Sequence, residues 1–361
     1  MSPRTGFLVA ILTLAPATAQ ISTEIVDRHR ADLEKQSKDP EMKRTATLPQ
    51  DWAYSLPDGV TTRQVTFYVD GGAPLYGKLF LPRGFSTAKR LPAVVVGHGI
   101  NAISIGIEKF AARFADRGLI AMAIDYRSYG FSGSEVSLLE PDTTNDSRAV
   151  WDKTARVQLK RTDLNNFHEI EDFRAAVSFL QGEPGVDPER IGIWGTSNAG
   201  SVVIAVAAQD ARVKAVVSQV AGTGARPATG PVPIAPAMLD DAIKRARTGQ
   251  GAEVDGGFSF RTKIDMYSGQ RNREVRAGSM IDRIPESTKI LSVIAEHDEL
   301  IPAAGAPEAA KAFKGTWQVV TVPFMTHFQM YSGVAFEVGS TLAADWFVKY
   351  LAGGAPSKAG E

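Results

Sequence analysis

An apolar run, Ile191 to Trp194, ends abruptly in Gly195-Thr196-Ser197-Asn198-Ala199-Gly200, and an alanine-rich helical pattern follows at once. A serine in an ordinary turn needs no glycine neighbours. One that stands exposed on a tight corner between strand and helix does need them. There the hydroxyl sits at the C-terminal end of a buried strand. The helix behind it offers unpaired backbone N–H groups, Asn198 N–H nearest, that favour developing negative charge. Ser197 is then either a helix cap or a nucleophile.

A serine hydroxyl attacks poorly unless a base takes its proton and an acid orients that base. The chain has five histidines. His29 and His168 lie before the serine strand, one in the N-terminal arm and one within a helix. His98 belongs to a Gly-His-Gly turn, and His297 neighbours Asp298. His327, in "VPFMTHFQMY", falls between the last strand and the last helix, where a loop could lay an imidazole over the sheet edge. For the acid, "AEHDELIP" closes the preceding strand. Asp298 before Leu300-Ile301-Pro302 makes a turn that leaves a carboxylate facing the sheet's top, with Glu296 and Glu299 as solvated competitors. In "VVVGHGINA", Gly97 and Gly99 let the backbone turn so that the Ile100 N–H faces Ser197, with His98 a structural residue of the turn. A charged tetrahedral intermediate needs two such donors, here Ile100 and Asn198, each worth on the order of 3 kcal/mol.

These residues need a scaffold. "TRQVTFYV" and "LYGKLFLP", joined at Asp70-Gly71-Gly72, read as an antiparallel hairpin. "LPAVVVGHG", "LIAMAIDYR", "RIGIWG", "VKAVVSQVA", "KILSVIAEHD" and "WQVVTVP" are short apolar runs suited to strands covered on both faces. Helical patterns alternate with them: "IEKFAARFADRG", stopped by Gly118, then Leu164–Leu180, "AGSVVIAVAAQD" and Ala335–Leu351. Strands alternating with helices predict a mostly parallel sheet of about eight strands, helices on both faces, with an antiparallel edge. Two stretches break the rhythm. Residues 135–162 are a long polar excursion. Residues 223–285 carry a helix, "MLDDAIKRARTGQ", and apolar patches, and are read as a cap over the site.

The chain has 361 residues, 44% of them hydrophobic, which suffices for a large core. Basic and acidic residues number 40 each, so no nucleic acid or anionic membrane partner is expected. Residues 1–19 have a basic start, an apolar run from Gly6 to Ala15 and Ala17-Thr18-Ala19 at the end. They read as a signal peptide, leaving a secreted or periplasmic protein with no membrane segment. Absence of cysteine excludes a lipidated N-terminus, disulfides, thiol catalysis and cysteine-ligated zinc. The expected layout is a leader at 1–19, a mobile or loosely docked arm at 20–60, a catalytic domain at 61–351 and a flexible tail at 352–361.

Over Thr61 to Leu351 the sequence resembles the α/β-hydrolase superfamily, and most closely its dienelactone-hydrolase-like and acyl-peptidase-like esterases. The His-Gly turn after the third strand, "DYRSYGFSGS" after the fourth, the serine corner after the fifth, and the order Ser, Asp, His carry the resemblance. Asp125, Arg127, Gly130 and Ser132 match the family's structural post-strand turn. Two departures stand out: Ala199 occupies the second glycine of G-x-S-x-G, with Gly200 one place later, and Ser128 replaces a customary glycine. The resemblance implies a hydrolase of small-molecule carboxylic esters through an acyl-enzyme, with Ser197, Asp298 and His327 as the triad and no metal or organic cofactor, and the leader adds that it is exported. An amide or peptide hydrolase uses the same machinery, and a non-catalytic binding protein on the same scaffold is the reading from another class. Acyl specificity and oligomeric state are not legible.

Overall fold

The computed structural model describes residues 20–40, 52–100, 102–140, 153–161, 164–223, 236–249, 253–255, 263–265, 272 and 275–353. The proposed leader and nearly all of the tail lie outside them. Eight strands form one sheet: β1 (Thr61–Tyr68), β2 (Pro74–Leu81), β3 (Leu91–Gly97), β4 (Ile120–Ile124), β7 (Val186–Thr196), β8 (Val213–Gln219), β11 (Lys289–Ala295) and β12 (Thr316–Val322). Their order is β1-β2-β4-β3-β7-β8-β11-β12. The six strands from β4 to β12 run parallel, and the β1–β2 hairpin adds the antiparallel edge. Gly71 (φ 86°) and Gly72 (φ 79°) turn that hairpin in the left-handed region that glycine tolerates.

The strands read as continuous apolar runs because both of their faces are covered. In β3, Ala93 and Val95 join one core while Val94 and Val96 join the other. Helices α4 (Asn166–Gly182) and α5 (Asn198–Ala207) pack on the first face. On the opposite face lie α3 (Glu108–Asp116) and α8 (Gly333–Phe347), where Trp194 of β7 stacks on Phe110 with ring centroids 4.4 Å apart. A short helix, α7 (Gly305–Ala312), joins β11 to β12, a connection the apolar pattern alone does not mark.

Two further differences from the sequence reading concern the edges of the domain. The arm is docked, not loose. Ile21, Val26 on α1 (Glu24–Arg28) and Leu33 on α2 (Arg30–Lys38) are buried in the core on the α3–α8 face. Few apolar residues do this, which is why its composition reads as solvated. The 135–162 excursion contains a two-stranded ribbon, β5 (Glu135–Leu138) with β6 (Val157–Lys160). Val136 and Leu138 pair with Leu159 and Val157, and all four are exposed.

Within the insertion the described elements include α6 (Pro236–Thr248), the short strands β9 (Glu253–Asp255) and β10 (Lys263–Asp265), and two 3₁₀ turns, Ala277–Ser279 and Ile281–Arg283. Much of the proposed cap, residues 224–235, 250–252, 256–262, 266–271 and 273–274, lies outside the described residues. No helix among those described is long and apolar enough to cross a membrane.

Candidate active site

Strand order locates the site before any side chain does. From β3 the chain crosses outward to β4, and from β7 it crosses the opposite way to β8. The crevice between the carboxyl ends of β3 and β7 is therefore the topological switch point, where open α/β sheets bind ligands. Ser197 follows β7 there, and Gly99 and Ile100 follow β3.

Ser197 holds φ 55° and ψ −122°, a conformation that side chains rarely adopt. The corner is held by Ser197 N–H donating to Gln219 O at 2.9 Å and Gly200 N–H donating to Ser197 O at 3.0 Å. Glycine is required on either side for a spatial reason. A Cβ at Gly195 would overlap the Ala199 carbonyl, and one at Gly200 would overlap the Ala221 side chain. So the second close approach of the helix falls on Gly200, while Ala199 fits fully buried against the core. Gly195→Ala should destabilise the protein by about 1–3 kcal/mol, because the clashing partner is backbone that cannot rotate away. A thermal melt showing an unchanged midpoint would refute that account of the corner.

The loop after β3 packs directly on the serine: a Cβ at Gly99 would lie 3.0 Å from the Ser197 Cβ. The buried His98 donates from Nδ1 to Gly99 O at 2.9 Å, its ring 4.3 Å from that of Tyr126. Burial lowers its pKa, against the opposing pull of the Asp125 carboxylate. It is a wall of the turn, as the sequence reading has it.

Asp298 and His327 meet. His327 Nδ1 lies 2.9 Å from Asp298 Oδ2 and 3.1 Å from Oδ1. The carboxylate is oriented by Leu300 N–H and Ile301 N–H, which donate to Oδ1 at 2.9 and 2.8 Å. Both side chains are almost wholly buried. With Nδ1 donating to Asp298, the proton-accepting nitrogen of a neutral His327 is Nε2. The two competing acids are occupied otherwise. Glu299 Oε2 accepts from His327 N–H at 2.8 Å and Glu296 Oε2 from Phe324 N–H at 2.7 Å, so both brace the histidine loop through its backbone. Both glutamates are exposed, as the sequence reading has them, but that reading does not show these bonds. A carboxylate seeking a main-chain N–H across 28 residues has no local signature.

Further side-chain contacts escape the sequence reading for the same reason, even at Asn198, whose N–H it singles out. Asn198, next to the serine, donates from Nδ2 to Glu169 Oε2 at 2.8 Å and Asn166 Oδ1 at 3.1 Å. Asn166 N–H donates in turn to Asn272 Oδ1 at 2.8 Å, tying the end of the insertion to the serine corner through α4. Tyr331 lies beyond His327, its hydroxyl 2.7 Å from Thr196 Oγ1, so the histidine loop and the serine corner are joined directly.

The turn after β4 is structural. Asp125 accepts from Ser104 N–H at 2.6 Å and Phe131 N–H at 2.8 Å, Ser132 donates to Asp125 O, and a Cβ at Gly130 would overlap the Asp125 carboxylate. Arg127 makes charge-assisted bonds to Asp172 and Glu171 on α4. Ser128, in the place of the customary glycine, carries φ 72° and accepts from Glu135 N–H at 3.1 Å.

Comparison with known proteins places the chain in a family. Residues 30–221 match the model of the acetyl xylan esterase (AXE1) family, and residues 168–312 match that of the BAAT / acyl-CoA thioester hydrolase C-terminal domain. The chain is 31% identical over 159 residues to the thiohydrolase aneE of Aspergillus aculeatus, a match that covers 44% of this chain and 41% of that protein. Among solved structures it is similar to the hypothetical protein PA2218 of Pseudomonas aeruginosa, with a TM-score of 0.62 at 23% identity over 84% of this chain and 99% of that one. Est1E of Butyrivibrio proteoclasticus matches with a TM-score of 0.54 at 18% identity over 80% and 99% of the two chains. The sheet is that of an α/β-hydrolase, and with a family match over more than half of its length the chain belongs to the acetyl xylan esterase (AXE1) family of hydrolases.

Proposed function

We propose that the protein is an exported serine hydrolase that cleaves small carboxylic esters through an acyl-enzyme. One observation carries this reading: a buried, carboxylate-oriented imidazole, His327 on Asp298, in a loop joined through Tyr331 and Thr196 to a serine held in a strained strand-to-helix corner. In the first half-reaction Ser197 Oγ attacks the acyl carbon while His327 Nε2 takes the hydroxyl proton. The tetrahedral oxyanion is received by the backbone N–H groups of Ile100 and Asn198. His327 then returns the proton to the departing alkoxide, the carbon–oxygen bond breaks, and an acyl-Ser197 ester forms. Water, deprotonated by His327, attacks that ester; the tetrahedral intermediate expels Ser197 Oγ, which recovers its proton from the imidazolium.

Thioesters are the second reading, supported by the acyl-CoA thioester hydrolase match and by the thiohydrolase relative. Acyl transfer to serine is the same step with a thiolate leaving. A series of p-nitrophenyl esters run beside acyl thioesters of equal acyl chain tests the choice. A higher kcat/KM for the esters is expected, and the reverse order would make the protein a thioesterase. Export rests on the sequence of residues 1–19. N-terminal sequencing of the protein recovered from outside the cytoplasm should begin at Gln20, and an N-terminus retaining the leader would refute it.

A further inference from the structure

The loop that carries His327 leaves β12, the last strand of the sheet, so it has a strand neighbour on one side only. Its geometry must be fixed from elsewhere, and much of that comes from the N-terminal arm. Gln36 of α2 is 7% exposed, and its side chain is spent on one short segment. Nε2 donates to Gln329 O at 3.2 Å and Ser332 O at 3.0 Å, and Oε1 accepts from Ala335 N–H at 3.2 Å. Gly333, at φ 57°, passes so close that a Cβ there would press on the Gln36 amide. The segment is internally braced as well. Gln329 Oε1 accepts from Thr326 N–H at 3.0 Å and from Thr326 Oγ1 at 3.1 Å, so whatever holds Gln329 holds the residue beside His327. Arg30, also on α2, lies 5.4 Å over the ring of Phe324, which itself sits at φ 67°.

We propose that the N-terminal arm is a positioning element of the active site, with Gln36 of α2 fixing the loop that presents His327 to Ser197. This rests on the reading of His327 as the general base. Gln36 touches neither the serine nor the triad histidine, so it is a positioning residue. Its three hydrogen bonds convert a loop at the sheet edge into one of fixed register. Proton transfer needs its partners within hydrogen-bond reach, and a displacement of about 1 Å lowers the rate by up to ~100-fold. The arm has a second, separate anchor that serves as a control. Ile21 N–H donates to Gln318 Oε1 at 2.8 Å and Gln318 Nε2 donates back to Ile21 O at 3.1 Å, on β12 itself.

The experiment compares Gln36→Ala, Gln36→Met, Gln318→Ala and His327→Ala in the full chain, with kcat and KM for p-nitrophenyl acetate measured well below each variant's melting temperature. Gln36→Met keeps the length and packing of the side chain without its hydrogen bonds, which guards against a variant that fails to fold. Both Gln36 variants should lose ~10- to ~100-fold in kcat with KM changed by less than about twofold, while Gln318→Ala lowers the melting temperature and leaves kcat within about twofold. Wild-type kcat in Gln36→Met overturns the proposal. So does a kcat loss in Gln318→Ala matching that of the Gln36 variants, since stability alone would then explain both. His327→Ala separates the two levels: if it keeps turnover, the base assignment fails and the proposal with it; if it is inactive while Gln36→Met is normal, the arm alone is refuted.

Discussion

Ser197→Ala is expected to lower ester turnover by ~10⁵- to ~10⁶-fold, the scale on which removal of a serine nucleophile acts in serine hydrolases. The substitution deletes one oxygen and keeps the Cβ against which Gly99 packs. It keeps the backbone bonds of the corner, since Ser197 N–H and Ser197 O are main-chain groups. Alanine at φ 55° carries the same strain as serine, so the melting temperature should hardly move. Two readouts make the result decisive. A fluorophosphonate probe should label the wild-type protein on the peptide containing Ser197 and leave the variant unlabelled. Residual turnover above a few per cent of wild type, with contamination excluded, would mean that another group attacks the acyl carbon. A helix-capping role for the serine predicts the opposite pattern, with a stability loss of about 1 kcal/mol and normal turnover.

What the sequence discloses, and what it hides, follows from where the information resides. Strands β3, β4, β7, β8 and β11 are legible because residues on both of their faces are buried, and an unbroken apolar run of that length between turns admits few alternatives. The serine corner is legible because its constraints are local. Gly195 and Gly200 flank the residue they make room for, and the clashes that exclude a side chain are with the Ala199 carbonyl nearby in the chain and with the Ala221 side chain just past the neighbouring strand. Asp298 and His327 are legible by order along the chain, each after a strand that must end on the same edge of the sheet.

The parts that were missed are long-range and polar. Gln36 bonds to residues 293 to 299 positions away, and nothing in "LEKQSK" marks one glutamine as buried. Glu299 is an exposed neighbour of Asp298, and nothing around it marks that it accepts the His327 N–H. The contacts of Asn198 with Glu169 and Asn166, and of Asn166 with Asn272, draw on three separate segments, of which only the serine corner carries a motif. The β5–β6 ribbon escapes notice because its apolar residues lie in a polar stretch and are exposed. Apolar patterning thus discloses the layers, and short-range sterics the corner. The braces that set the histidine's position are written in single polar residues.

Asp298→Asn is the second large effect, and its geometry explains why an isosteric change should be severe. Asp298 Oδ1 accepts from both Leu300 N–H and Ile301 N–H, while Oδ2 lies closer to His327 Nδ1. An asparagine must keep an oxygen at the two backbone donors, which directs its amide N–H₂ at His327. That group donates, so Nδ1 must become the acceptor and the imidazole proton moves to Nε2. A histidine in that tautomer cannot take the Ser197 proton, although every atom sits within a few tenths of an ångström of its place. The expected fall in kcat/KM is ~10⁴-fold, the scale established for a serine-protease triad aspartate, with the melting temperature little changed. Labelling by a fluorophosphonate should slow in parallel, since it needs the same activated oxygen. Glu299→Gln provides the contrast. It preserves an acceptor for the His327 N–H and does not touch the ring, so kcat/KM should stay within about tenfold of wild type. Glu296→Gln, whose partner is the Phe324 N–H, should be milder still. If Glu296→Gln or Glu299→Gln proves the crippling change while Asp298→Asn retains activity, the acid of the triad has been misassigned and the orienting carboxylate belongs to that glutamate.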